Sequence, residues 1–171
     1  MSKFHFSTRQ IAAAGLIGAL YAVMSYFAAI FGVAFGPIQF RFSEALCVLP
    51  FLIPAAAPGL FVGCVVANLL SPYGVLDMVF GPLATLLAAV LTMKCPNRWL
   101  ASLPPVVCNM VIVGAVIAFE ETGFTAAFPA AFAWNAFTVG LGEAAVCFLL
   151  GQLLLSVLTR VRSVRALSAD G

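Results

Sequence analysis

The sequence predicts an all-α integral membrane protein of six transmembrane helices, the second and third short and broken by proline and glycine. Three observations predict it. Hydrophobic residues make up 64% of the 171 residues and charged residues 8%, against about 25% charged in an ordinary soluble protein. The few charges are separated by long uncharged stretches. The basic residues also collect on one side of a membrane when six segments are threaded through it. A formal net charge of +2 is too small for a nucleic-acid footprint, so no nucleic-acid partner is expected. Six spans of about 20 residues each use almost the whole chain. The expectation is a single polytopic domain over 1–171, with no room for a soluble catalytic or ATPase domain.

The first segment covers about 10–33, in the charge-free stretch between Arg9 and Arg41. Lys3 and Arg9 ahead of an apolar run resemble a secretory signal. The run is longer than a signal core of 7–15 residues, however, and no convincing cleavage site follows. It reads as a retained first membrane helix. The next stretch, from Glu44 to Asp77, holds Pro50, Pro54, Pro58 and Pro72. Pro54-Ala55-Ala56-Ala57-Pro58-Gly59 reads as a turn, which leaves segments at about 42–54 and 59–71. At ~1.5 Å per residue each is about 20 Å long, short of the ~30 Å hydrocarbon core. They form either two short helices meeting near the inner face or a re-entrant hairpin. The fourth and fifth segments cover about 77–93 and 103–119. The sixth covers about 128–158, interrupted only by Glu143.

With the N-terminus in the cytoplasm, Lys3, Arg9, Lys94, Arg98, Arg160, Arg162 and Arg165 all fall inside. Glu44, Asp77, Glu120, Glu121 and Arg41 fall toward the outside. Odd segment counts give no such split, so both termini are expected in the cytoplasm, with the protein in the cell membrane. The basic tail 160–165 reads as an anchor on an anionic inner leaflet.

The parts of an engine are missing. The sequence contains no GxxxxGK[ST], HExxH or GxSxG motif, and His5 is its only histidine. Cys47, Cys64, Cys108 and Cys147 lie in apolar stretches and Cys95 in a short polar loop, with no CxxC pair to suggest a metal site. No cofactor, metal or catalytic residue is expected. A binder, a carrier or a subunit of a larger machine fits better than an enzyme.

Polar residues inside apolar segments are the candidates for a ligand site, because a charge in the membrane is costly and faces a cavity or a partner. Glu143 stands 17 residues before Arg160, roughly 25 Å along a helix. Asn135 lies two turns from it, on an adjoining face. Trp134 can stack on a flat heterocycle or sit at the membrane interface. Asn109 and Asn68 either face a ligand or bond another helix. Arg41 and Glu44 share a helix face at i, i+3 and can form an internal ion pair. Asp77 can bind a ligand or complement its helix N-terminus. Ala14, Gly15, Gly18, Ala19 and Ala22 form a stripe of small residues on the first helix. It serves either internal packing or the docking of a partner.

Several runs carry a family resemblance. Residues 39–46 (QFRFSEAL), 49–51 (LPF), 54–63 (PAAAPGLFVG), 67–69 (ANL), 77–81 (DMVFG) and 84–87 (ATLL) resemble the QueT family. Trp134-Asn135 and Gly142-Glu143 in the last segment are similar too. The resemblance implies an S component of an energy-coupling factor (ECF) transporter, with six helices and both termini inside. It implies uptake of a queuosine precursor, a 7-deazaguanine such as queuine or its aminomethyl relative. Energy would come from a separate transmembrane T subunit and two ATP-binding cassette subunits. Docking through small residues of helix 1 matches Ala14, Gly15, Gly18, Ala19 and Ala22, although glycines occupy places where the family's AxxxA pattern usually has alanine. The expected pocket lies near the outer ends of helices 4–6, covered by loops 33–40 and 71–76. An S component for another vitamin, or a membrane scaffold or enzyme, are the alternatives.

Overall fold

Ser7 starts the first helix. Its hydroxyl accepts from the Gln10 N–H at 3.3 Å, and the Gln10 side chain accepts from the Ser7 N–H at 2.9 Å. This reciprocal box satisfies two amides at the helix start. The helix, α1, runs Thr8–Ile30. The structure, a computed structural model, describes residues 7–32, 40–69 and 71–161. Lys3, His5, Arg162, Arg165 and most of the loop expected at 33–40 lie outside the described residues.

The second segment is a 3-10 helix, Phe42–Phe51, with Arg41 at its N-cap and Pro50 inside it. A 3-10 helix rises about 2.0 Å per residue and eclipses side chains three apart. Ten residues therefore reach about as far as thirteen in an α-helix. Arg41, Glu44, Cys47 and Pro50 stack in one column. Every residue from Ser43 to Pro50 is buried, so the segment is enclosed by the other helices on all sides.

The chain turns at residues 52–55, and α2 runs Ala56–Asn68. The expected turn at 54–59 is thus shorter than the prolines suggest. Pro58 falls in the first turn of α2, where its missing N–H costs no hydrogen bond. Gly74, at φ +65°, opens α3, Gly74–Thr92, three residues earlier than expected. The loop expected at 71–76 is correspondingly reduced to its first residues.

The fifth segment is helical from Leu100 to Thr122. A 3-10 turn (Leu100–Ser102) leads into α4 (Leu103–Cys108), a π-turn (Asn109–Val113) and α5 (Gly114–Thr122). The sixth comprises α6 (Phe128–Ala145), a second π-turn (Val146–Gly151) and α7 (Gln152–Leu158). Both π-turns face the polar centre described below, and such bulges recur at functional sites.

The described residues contain helices and no strand. Among the described residues, four helical stretches are long and apolar enough to cross a membrane: Thr8–Ile30, Gly74–Thr92, Leu100–Thr122 and Phe128–Leu158. Phe42–Phe51 and Ala56–Asn68 are shorter apolar helices. α2 runs parallel to α1, because Gly59 packs on Ala14 and Gly63 on Gly18, while the Tyr26 hydroxyl donates to the Val66 carbonyl at 2.7 Å. The 3-10 helix descends between them. Leu52, Ile53 and Ala55 at its turn share an apolar cluster with Ile17, Leu154 and Leu158. The turn therefore reaches the level of the last turns of α7. Leu16, Phe27, Leu87, Phe137 and Leu153 are exposed, giving an apolar outer surface suited to lipid. Polar side chains within the segments, among them Ser43, Glu44, Asp77, Asn109 and Glu143, are buried.

Candidate functional site

The 3-10 helix, the π-turn at Asn109 and α6 converge on a small cavity. Arg41, Asn109, Val113, Val139, Glu143 and Val146 line it, and its volume is about 10 Å³. That is room for about one water molecule. A bicyclic heterocycle enters only if these walls part.

Four ionisable side chains are buried around this point: Glu44 (2% exposed), Asp77 (0%), Glu143 (7%) and Arg41 (9%). Arg41 Nη2 lies 3.6 Å from Asp77 Oδ2. The Ser71 hydroxyl donates to the same Oδ2 at 2.5 Å, and Asn68 Nδ2 donates to the Asp77 carbonyl at 2.9 Å. Asp77 Oδ1 has no hydrogen-bond partner. Glu44 accepts from the Tyr21 hydroxyl at Oε1 and from the Cys47 thiol at Oε2, 3.0 Å away. Glu143 accepts from Asn109 Nδ2 at Oε1 and from the Cys147 thiol at Oε2, 3.6 Å away. The Cys147 sulfur is also 3.5 Å from the Glu44 carbonyl oxygen, so one thiol bridges the two acidic segments. Buried charges need partners of this kind, because an unpaired one costs several kcal/mol.

The structure thus gathers Arg41, Glu44, Asp77, Asn68, Asn109 and Glu143 into one polar centre. The partner of Arg41 across helices is Asp77, in the first turn of α3, beyond the neighbour that i, i+3 spacing suggests. Two candidates go elsewhere. Trp134 is 62% exposed on the outer face of α6, away from the cavity it was expected to stack over. Asn135 donates to Glu121 Oε2 at 2.8 Å, clamping the start of α6 to the end of α5. Consecutive helix positions differ by about 100°, which is how Trp134 faces out while Asn135 faces in.

The small-residue stripe divides in the same way. A Cβ on Gly18 would lie 2.7 Å from the Gly59 carbonyl oxygen, and one on Gly59 would lie 2.2 Å from the Ala14 oxygen. Ala22 is buried. Ala14, Gly18 and Ala22 therefore belong to the α1–α2 seam. Gly15 has nothing within 4 Å of a built Cβ, and both Gly15 and Ala19 are exposed. All five residues line a shallow groove of about 410 Å³ along α1 and α2.

Sequence reasoning missed Tyr21, Ser71, Cys47 and Cys147. Tyr21 is fully buried, and a buried tyrosine hydroxyl needs an acceptor. That signal was present in its place amid an apolar helix. The cysteines read as small hydrophobes, and only the fold brings their thiols to carboxylates.

Residues 11–160 match the profile of the QueT transporter family. The queuosine precursor transporter QueT of Lactococcus lactis subsp. cremoris (strain MG1363) is 28% identical over 151 residues, covering 83% of this chain and 88% of that protein. No solved structure matches the chain. With apolar helices long enough to cross a bilayer and a polar centre enclosed among them, this multi-pass membrane protein belongs to the QueT transporter family.

Proposed function

We propose that the chain is the substrate-binding S subunit of an energy-coupling factor importer, and that its substrate is a queuosine precursor. The substrate class is a 7-deazaguanine such as queuine or its aminomethyl relative. Family membership and the printed function of the Lactococcus relative support this reading. The observation that carries the binding site is the cavity lined by Arg41, Asn109 and Glu143. A guanine-type ring offers N–H and NH₂ donors on one edge and a carbonyl acceptor beside them. Glu143 can accept from the donors, while Arg41 and Asn109 can donate to the carbonyl. Val113, Val139 and Val146 give the ring apolar walls. Asp77, Glu44 and Asn68 hold Arg41 and the segments around it.

The chain contains no nucleotide-binding loop, so transport needs a T subunit and two ATP-binding cassette subunits. In this reading all six segments span the cell membrane, both termini are cytoplasmic, and the partner docks on the face of α1 that presents Gly15 and Ala19. The single polytopic unit carries the whole binding function. Purification followed by mass spectrometry of the released small molecule tests the reading. A 7-deazaguanine is expected. A vitamin such as biotin or riboflavin would overturn the queuosine assignment while leaving an S component in place.

A further inference from the structure

A run of hydrogen bonds leads from the loop after α3 to the cavity. Gln152 opens α7 and is buried among apolar neighbours. Its Nε2 donates to the Arg98 carbonyl at 2.6 Å and to the Ser102 hydroxyl at 2.8 Å. The Ser102 hydroxyl donates to the Cys147 carbonyl at 3.2 Å. The Cys147 thiol lies 3.6 Å from Oε2 of Glu143, the carboxylate that lines the cavity beside Arg41. Ser102 and Cys147 are fully buried. Gln152 is held at its backbone as well. The Ser156 hydroxyl donates to the Gln152 carbonyl at 2.8 Å and accepts from Arg98 Nη1 at 3.2 Å.

The run has one direction. A carbonyl only accepts, so the amide nitrogen of Gln152, and not its oxygen, must face Arg98. The second hydrogen on that nitrogen goes to the Ser102 oxygen. The single Ser102 hydrogen is then directed at the Cys147 carbonyl. Gln152 Oε1 meanwhile has no hydrogen-bond partner among the described residues, and a buried acceptor left unmet is costly. A leucine would fill the same helix position without that cost. What the glutamine adds is a fixed tie on the Cys147 carbonyl, inside the π-turn Val146–Gly151. Cys147 has one thiol hydrogen and two acceptors near it, Glu143 Oε2 and the Glu44 carbonyl oxygen at 3.5 Å. A small shift of its backbone decides which of them it meets. We infer that Gln152 is a positioning residue of the ligand site, acting through Ser102 and Cys147 to set the carboxylate of Glu143. The inference rests on the reading of the cavity as the ligand site. It ties that site to the loop at Arg98, which touches no cavity-lining residue through this run except by way of Cys147.

The test uses the full chain purified in detergent, as wild type, Gln152→Leu, Ser102→Ala and the double variant. Queuine is titrated calorimetrically into each. The S–H stretching band of Cys147 is identified by infrared difference against Cys147→Ala. Each single variant is expected to weaken queuine binding roughly 3- to 30-fold, the range for substitutions that act through a packed network. The double variant is expected to stay within about twofold of the weaker-binding single variant, because both break the same run. Without ligand, the Cys147 band is expected to shift in both single variants, since the thiol changes its acceptor. Residues that merely glue helices together would lower the melting temperature and leave both affinity and band alone. Affinities within about twofold of wild type, an unmoved band, or losses that add in the double variant each overturn the inference while leaving a deazaguanine binder intact. Should Gln152→Leu fail to fold, Ser102→Ala, which removes a single oxygen, carries both readouts. If queuine does not bind the wild type, the deazaguanine reading fails, and the Cys147 band decides the inference by itself. A shift in the variants then supports it, and an unmoved band overturns it.

Discussion

Gly18 and Gly59 meet backbone to backbone, with the Gly59 carbonyl oxygen 2.7 Å from where a Gly18 Cβ would stand. This contact binds α1 to α2 and separates two roles that one stripe of small residues had seemed to share. Gly18→Leu is expected to push the helices apart and to destabilise the protein by at least about 1–3 kcal/mol, the usual range for an overpacked site. Gly15→Leu meets open space and should leave stability unchanged. Thermal melts of both variants in the same detergent check the contrast.

In the proposed reading the exposed members of the stripe, Gly15 and Ala19, dock the partner. Ala19→Trp leaves the α1–α2 seam alone but blocks close approach of another helix, since small-residue faces work by being small. Ligand affinity of the isolated chain is expected to stay within twofold of wild type. Co-purification with the T subunit and cellular uptake should both fall. If both survive in Ala19→Trp and in Gly15→Trp, the partner docks on another surface.

Arg41 and Asp77 couple the start of the 3-10 helix to the start of α3. Removing either partner leaves the other charge buried, which costs about 3–5 kcal/mol in comparable pairs. Arg41→Gln and Asp77→Asn should each lower stability strongly, and the double variant should lose less than the sum of the two. Strict additivity in a denaturation series would show that the pair is not coupled.

Tyr21→Phe deletes the hydroxyl that donates to buried Glu44 while keeping the ring. An unsatisfied buried acceptor costs about 1–3 kcal/mol. A lowered melting temperature is therefore expected for Tyr21→Phe. Tyr26→Phe, whose hydroxyl is bonded at an exposed position, should melt close to wild type.

Much of this arrangement was legible in the sequence. Uncharged stretches bounded by Arg9, Arg41, Lys94, Arg98 and Arg160 place the long helices within a few residues of their observed ends. Residues 128–158 agree at both ends, since Pro129 favours a helix start and the basic tail begins at Arg160. Ionisable and amide residues in apolar surroundings stand out by cost alone, which is why Arg41, Glu44, Asp77, Asn109 and Glu143 could be singled out. Their partners could not be read, because Arg41 reaches Asp77 only through the packing of the 3-10 helix on α3. The ten residues Phe42–Phe51 do not by their sequence distinguish a 3-10 from an α-helix, and the longer rise of the former lets a short segment reach further. Trp134 and Asn135 are neighbours in sequence yet face opposite environments. Only the packing of α6 on α5 decides which of them turns inward.

In the proposed reading the ligand sits where Arg41, Asn109 and Glu143 meet. Photolabelling the purified chain with a photoreactive 7-deazaguanine, followed by peptide mapping, tests it most directly. Label that unlabelled ligand competes away should fall on peptides containing residues 109–113 and 139–146. Competable label confined to Trp134 and its surface neighbours, or to the groove along α1 and α2, would contradict it.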